Sequence, residues 1–375
     1  MKIARFLKSL VIVGSVMVVG SVDSANAQSA DWGKIVEAAK KEGEVIVWAS
    51  SGLERRMFWK DSFEKDNPGI KVNLFQPNSS SQRDQRYVTE FQSGLAKVDI
   101  LMGGSAGMNS KLKPAGVLQP LRPFLRADIL DGKNWVDGSP YWVDEEKQYI
   151  IVSDLTPTPA ITVNKSIADG VLQNWTDLLD PKYDGKIIMT DPRQAGQGFA
   201  MTVFFYNTPD LGPSFVERLF KGGRIVFSPD ERQTVEWIDS GRVLIGIYAR
   251  PQEVEALQKI GGGLRMIPAL KAGGVPQAIT VGSAGAIGIP NLKPLPNPNA
   301  AQVYMNWLLS KQGQQAMIDT NSILSTRTDV DLDKLPAYFR RVDGVKYTSA
   351  NDPKMTSDEQ VNAMRDTVTR SIGAK

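Results

Sequence analysis

Apolar residues first recur at helical spacing in Trp32, Ile35, Val36 and Ala39, and Gly43 falls where that helix would end. The period then changes. Val45-Ile46-Val47-Trp48 is an unbroken apolar run of strand length, closed by the small polar turn Ala49-Ser50-Ser51-Gly52 and followed by a helical pattern through Phe58 and Phe63. Residues 70–75 repeat the unit, with a strand that ends in Gln76-Pro77-Asn78-Ser79 before a helix carrying Tyr87, Val88, Phe91 and Leu95 on one face. Residues 98–102 give a third strand, ending in Gly103-Gly104-Ser105. Strands alternating with helices predict a mostly parallel sheet covered on both faces, with ligands gathering at the carboxyl ends of the strands. Here those ends are all polar or glycine-rich.

The alternation breaks at residues 149–164, where Tyr149-Ile150-Ile151-Val152 and Ala160-Ile161-Thr162-Val163 flank Thr156-Pro157-Thr158-Pro159. This predicts a crossing into a second lobe. A further strand–helix series runs through 186–206, 224–227 and 243–247, and the glycine-punctuated stretch 278–290 returns. Two crossings predict a second lobe, 157–284, inserted into a first lobe made of 28–156 and 285–375, with a hinge between them. The first lobe would then carry C-terminal helices at 300–309 and 312–318. Within 186–206, the strand-like Lys186-Ile187-Ile188-Met189 is broken by Asp191-Pro192, and Gly196 and Gly198 precede an apolar helical run. A helix start of this kind offers free N–H groups to a carboxylate, phosphate or sulfonate. A plain tight turn explains the two glycines equally well, since the full dinucleotide pattern needs a third glycine where Met201 stands.

Composition narrows the function classes. A chain of 375 residues can bury two sizeable cores. Lys2, Arg5 and Lys8 precede the apolar 10–22, and Ala25-Asn26-Ala27 supplies small residues for cleavage, so 1–27 is expected to be a secretory signal and Gln28 the mature start. Removing it takes away three basic residues and Asp23, and the net charge falls from +3 to +1. That balance suits neither nucleic acid nor an acidic membrane as partner. With no cysteine there are no disulfides and no thiol for a lipid anchor, so the exported chain is expected free in the periplasm. With no histidine, Ser-His-Asp and Cys-His nucleophile systems and the usual zinc sites are excluded.

Three blocks then carry a resemblance. Ala39-Lys40-Lys41-Glu42-Gly43-Glu44-Val45 leads into the first strand, and Trp175-Thr176-Asp177-Leu178-Leu179-Asp180-Pro181-Lys182-Tyr183-Asp184-Gly185-Lys186 enters the second lobe. Trp307-Leu308-Leu309-Ser310-Lys311-Gln312-Gly313-Gln314 stands in the C-terminal helices. In this order the blocks resemble the extracellular solute-binding proteins of bacterial ABC importers, in the ferric-iron, polyamine and phosphonate branch. The resemblance implies a two-lobed, periplasmic binding protein-like α/β clamp that closes on a small solute and delivers it to an inner-membrane ABC permease with its ATPase. No enzymatic activity, cofactor or metal is expected, and the protein is expected to be a monomer. One departure bears on the ligand. Ferric-binding members carry a Tyr-Tyr pair shortly after the strand that is Gly241-Arg242-Val243-Leu244-Ile245-Gly246 here, and Pro251-Gln252 occupies its place, so naked ferric iron is disfavoured.

The candidate ligand residues are those at the strand ends. Ser50, Ser51, Asn78, Ser79, Gly104 and Ser105 from the first lobe have hydroxyl, amide and N–H groups that suit an oxyanion, and capping of the following helices competes as an explanation. From the second lobe, Arg193 and Arg250 could grip a carboxylate or phosphate, with Asp191, Gly196, Gln197 and Tyr248 beside them. Arg83 and Arg86 stand at a helix start after the second strand, where a solvated helix face is the favoured explanation, and Trp48 and Trp142 could stack on an organic ligand, with core packing the favoured explanation. These residues favour an anionic or zwitterionic solute. Two other functions fit the same chain: an exported carbohydrate-active enzyme with Asp191 and Asp230 as its acid pair, and a ligand sensor on the same fold.

Overall fold

The protein was analysed as a computed structural model, which describes residues 21–50, 53–77, 80–136, 138–194, 197–228, 230–281, 285–321, 323–350, 352 and 354–373. Helix α1 (Ser21–Glu42) leads into β1 (Glu44–Ala49), α2 (Leu53–Asp66), β2 (Lys71–Phe75), α3 (Ser80–Gln92) and β3 (Ile100–Gly103). Next come α4 (Ser105–Gly107), β4 (Leu118–Gln119), α5 (Ala127–Leu130), β5 (Tyr141–Trp142), β6 (Ile151–Val152) and β7 (Thr156–Pro157). The second series is β8 (Ile161–Asn164), β9 (Ile187–Met189), α6 (Gln197–Asn207), α7 (Gly212–Phe220), β10 (Ile225–Phe227), α8 (Glu231–Asp239), β11 (Ile245–Ile247), α9 (Pro251–Lys259) and β12 (Leu264–Ile267). The chain ends with β13 (Leu270–Ala272), β14 (Val275–Val281), β15 (Ala286–Pro290), α10 (Pro298–Leu309), α11 (Lys311–Asn321), β16 (Lys346–Ser349) and α12 (Asp358–Gly373).

Three sheets result. The first runs β2-β1-β3-β15-β6-β5 with β4 beside β15, and the second runs β10-β9-β11-β8-β12. Strands β3, β9 and β11 are buried at every position, as expected where helices cover both faces. One face of the first sheet holds a core around Trp59, Phe63, Tyr304 and Trp307, the other a core around Trp48, Tyr87 and Met108. The second sheet has its own large core around Trp175, Phe204, Phe205 and Phe215. Trp48 and Trp142 are core residues, 4% and 9% exposed and packed on the two faces of the first sheet.

The third sheet, β13-β14-β16 with β7 beside β14, is built from the strands that carry the chain between the other two. β7 and β14 pair antiparallel through Pro157 and Thr280, so the two expected crossings touch. A further connection follows α11. β16 joins β14 in parallel, and α12 beyond it places Met364 and Val368 in the core of the second sheet. Helices α10 and α11 pack in the core of the first sheet, whereas the apolar residues of α12 find their partners on α6 and α7.

The register fixes which edges face each other. β15 is antiparallel to both β3 and β6, so β6 runs with β1, β2 and β3, and Asp154 just beyond it lies on their carboxyl edge. In the second sheet β9, β10 and β11 are parallel, and Ile247 at the end of β11 pairs with Ile161 at the start of β8. The chain thus leaves one sheet at its carboxyl edge and a few residues later enters the other at its carboxyl edge. The crossing strands hold those two edges opposite each other, which is where ligands gather in open α/β sheets.

One acid limb of stability follows from the first lobe. Burial alone would raise the Glu64 carboxyl, but Lys60, the Val72 N–H and Lys71 outweigh it and hold its pKa at about 2, against an ordinary 4.5. Because the folded value is the lower, the stabilisation is complete above pH 4.5 and is lost as pH falls toward 2. Glu64→Gln is expected to flatten the fall of melting temperature across that window while changing little at pH 2, as calorimetry at stepped pH would record.

Candidate functional site

On the first-lobe edge, three strand-end turns are tied together by hydroxyls. Ser50 Oγ and Ser80 Oγ lie 2.8 Å apart, and Gly104 N donates to Ser80 Oγ at 3.0 Å. Beneath them Arg83 is fully buried, correcting its expected place on a solvated helix face. Its guanidinium donates to Met102 O at 2.6 Å, Gly104 O at 3.3 Å and Ser50 Oγ at 3.4 Å, and pairs with Asp84 at 2.5 Å. Burial pushes the Asp84 carboxyl up, opposed by the adjacent guanidinium. Gly103 admits no side chain here, since a Cβ would lie 2.1 Å from Ser50 Oγ, and its φ of +135° is open only to glycine. Ser105 is buried with its Oγ unpartnered among the described residues. Ser51, Asn78 and Ser79 lie outside the described residues.

On the second-lobe edge, three helices begin after β9, β10 and β11. Asp191 and Arg193 form a forked pair, with Nε at 2.9 Å and Nη2 at 2.6 Å from the carboxylate, and Arg193 N also donates to Asp191 Oδ1 at 2.9 Å. The Arg193 bond holds the Asp191 carboxyl below its usual range and raises the guanidinium in return. Glu231, in the first turn of α8, accepts from Gln197 Nε2 at 2.7 Å and from Arg250 Nη1 at 2.8 Å. It joins the starts of all three helices. The free N–H groups expected at the start of α6 are partly taken, because Gly198 N donates to Thr190 Oγ1 at 2.7 Å. A Cβ on Gly198 would fall 2.0 Å from Thr190 O, so close backbone approach explains that glycine. Gly196 lies outside the described residues.

Tyr248 follows β11 with a φ of +53°, a left-handed conformation that costs a bulky residue on the order of 1–3 kcal/mol and persists where surroundings enforce it. Burial pushes its phenol up, opposed by the side chain of Thr158 on the crossing segment. Its backbone N–H donates to Ala160 O at 3.3 Å. The residue thus joins the second-lobe site to the hinge.

The structure brings Ser50 and Gly104 together on one edge, and Asp191, Arg193, Gln197, Tyr248 and Arg250 along the other. Sequence reasoning missed Ser80 and Glu231. Both stand in the first turn of a helix after a strand, a position where a polar residue reads as a cap. Neither second-lobe arginine is an isolated cation: each holds a carboxylate partner. Such a set suits a solute with both charge signs, or an anion that shares the guanidinium edges.

Two α/β lobes joined by paired crossing strands, with facing carboxyl edges lined by hydroxyls and paired charges, define a binding clamp. Residues 59–339 match the family described as bacterial extracellular solute-binding protein, and the chain belongs to that family. A structure from Bordetella parapertussis described as an extracellular solute-binding protein superposes with a TM-score of 0.66 at 15% identity, over 88% of this chain and 99% of that one. A Trichodesmium protein (IdiA, FutA) in complex with iron and citrate gives 0.63 at 16% identity, over 88% and 99%. The periplasmic binding protein AfuA from Actinobacillus pleuropneumoniae with bound fructose-6-phosphate gives 0.55 at 18% identity, over 89% and 99%. No curated protein matches the chain by sequence. The family is one of solute-binding components of ABC importers, whose members bind small molecules and work with ABC permeases. Among the described residues no helix is long and apolar enough to cross a membrane.

Proposed function

We propose that this chain is the periplasmic solute receptor of an ABC importer, a monomer without enzymatic activity that closes its lobes on a small zwitterionic or anionic compound. The observation that carries this reading is the Glu231 junction, which gathers Gln197 and Arg250 at the edge facing the first-lobe hydroxyls. A carboxylate and a guanidinium side by side offer one partner for an ammonium and one for a carboxylate or phosphate. The competing acid-pair enzyme loses its residues, because Asp230 caps α8 through Gln233 N at 2.6 Å and Asp191 is held by Arg193. Ferric ion is disfavoured by the donors present: a single phenol at this edge, Tyr248, and no group of three His, Cys, Asp or Glu among the described residues able to hold a metal. Two similar structures hold iron with citrate and fructose-6-phosphate, so acids and sugar phosphates belong in the search.

The lobes proposed are 28–156 with 285–321, and 157–284 with 350–373, leaving 323–349 as the third crossing. Export and cleavage after Ala27 is proposed with them, and N-terminal sequencing of the secreted protein should read from Gln28. The test of function is native mass spectrometry of the protein as purified, then a thermal-shift screen of amino acids, carboxylates, sugar phosphates, amines and metal citrates. A true solute at a hundredfold excess over its Kd should stabilise by about 2.7 kcal/mol. A screen that moves the melting temperature for no compound would count against the reading. Arg193→Ala should weaken an anionic hit by about 1.5–3 kcal/mol, the range for a charge-assisted hydrogen bond. Glu231→Gln should weaken an amine-bearing hit more than an acidic one, and equal losses would argue against a zwitterion.

A further inference from the structure

We propose that Arg55 is the first lobe's grip on the solute and Asp154 its positioning residue, so that the solute presents a two-oxygen anionic edge, carboxylate or phosphate, to that lobe. This deepens the solute-receptor reading and rests on it. Arg55 stands in the first turn of α2, just past the carboxyl end of β1, and Asp154 follows β6 by two residues. In the sheet, β3 and β15 separate those strands. Arg55 Nη1 nevertheless reaches Asp154 Oδ2 at 2.9 Å, so its side chain lies across the strand ends, along the floor between the lobes. The floor is cleared for it: Gly103 and Gly104 end β3, Gly285 precedes β15, and a Cβ on Gly285 would fall 2.2 Å from Asp154 Oδ1.

The two partners are unequally exposed, and this points the guanidinium outward. The Asp154 side chain is 3% exposed and that of Arg55 22%. One corner of the fork is spent inward on a buried carboxylate, and no other hydrogen bond of Arg55 is found among the described residues. A planar guanidinium anchored at one corner is pre-organised to offer its other edge in bidentate fashion. Arg193 and Arg250 differ, because their carboxylate partners are only partly buried, Asp191 at 21% and Glu231 at 34% exposure against 3% for Asp154. A purely structural ion pair is the competing explanation. It leaves Asp154 Oδ1 buried with no partner among the described residues, an arrangement that structural pairs avoid by satisfying both oxygens. Asp154 also bridges to Ser325, and Leu155 N donates to Leu324 O at 3.2 Å just before β7, so the acid is fixed to the hinge rather than to a mobile turn.

The test uses citrate and inorganic phosphate as separate probes and putrescine as a cationic control, titrated by calorimetry into the full chain. Arg55→Lys keeps a cation on Asp154 and removes the planar fork. Arg55→Gln with Asp154→Asn removes both charges together, which avoids a fold lost to an unpaired buried acid. At least one anion should bind wild type, lose about tenfold or more in affinity in both variants, and shield Arg55 from phenylglyoxal in peptide mass mapping. Binding by citrate alone assigns a carboxylate edge, and by phosphate alone a phosphate edge. Failure of both anions to bind or to shield Arg55, or equal affinity in wild type and variants, overturns the proposal. If a screened solute still closes the lobes in that case, the receptor reading stands without it; if none does, that reading falls as well.

Discussion

Arg83→Met is expected to destabilise the first lobe by about 3–5 kcal/mol, the range for removing one partner of a buried ion pair. The loss has two parts. Asp84, 2% exposed, is left as a buried charge without its cation, and the carbonyls of Met102 and Gly104 at the end of β3 lose a donor that also reaches Ser50 past the end of β1. Replacing both residues, Arg83→Met with Asp84→Leu, should recover the charge part but not the carbonyl part. Denaturant unfolding followed by tryptophan fluorescence would rank the three proteins. Wild-type stability in the single variant would mean that the guanidinium does not hold the turns. Solute affinity should fall as well, since Ser50, Ser80 and Gly104 take their places from that guanidinium.

The second large effect lies in the other lobe. Trp175 is fully buried, with ring centroids 4.8 Å from Phe205 and 5.8 Å from Phe204, and Trp175→Ala should cost about 3–5 kcal/mol as a large cavity opens. Because the lobes have separate cores, unfolding need not be two-state. Hydrogen exchange should then show the loss in β8, β9, α6 and α7, and also in α12, whose Met364 and Val368 share that core. Protection retained in α12 while α6 and α7 loosen would detach the C-terminal helix from the second lobe.

The series of strands and helices was legible because apolar runs and helical spacing are local signals, and the strand-end turns followed from them. Lobe membership of the C-terminus was not legible. Residues 346–373 carry no cue to partners about 70 to 150 residues away, and only the pairing of β16 with β14 and the packing of α12 on α7 place them. The site divides along the same line. Arg193 and Arg250 were visible as cations at strand ends, but their charge environment depends on Asp191 and on Glu231, 19 residues from Arg250 along the chain. Arg83 reads as solvated among polar neighbours, and its burial arises from Ser50, Met102 and Gly104 on other strands. Arg55 and Asp154, 99 residues apart, gave no signal until the sheet order brought them together.

The clamp is tested most directly by the distance between the facing edges. The chain has no cysteine, so Ser81→Cys in the first turn of α3 and Gln252→Cys in the first turn of α9, both exposed, would carry the only two spin labels. Pulsed dipolar spectroscopy, with and without a saturating compound that raises the melting temperature, should show a shorter label-to-label distance in the bound form, with each lobe's own exchange pattern preserved. A stabilising compound that leaves the distance distribution unchanged would contradict closure of two lobes around a solute.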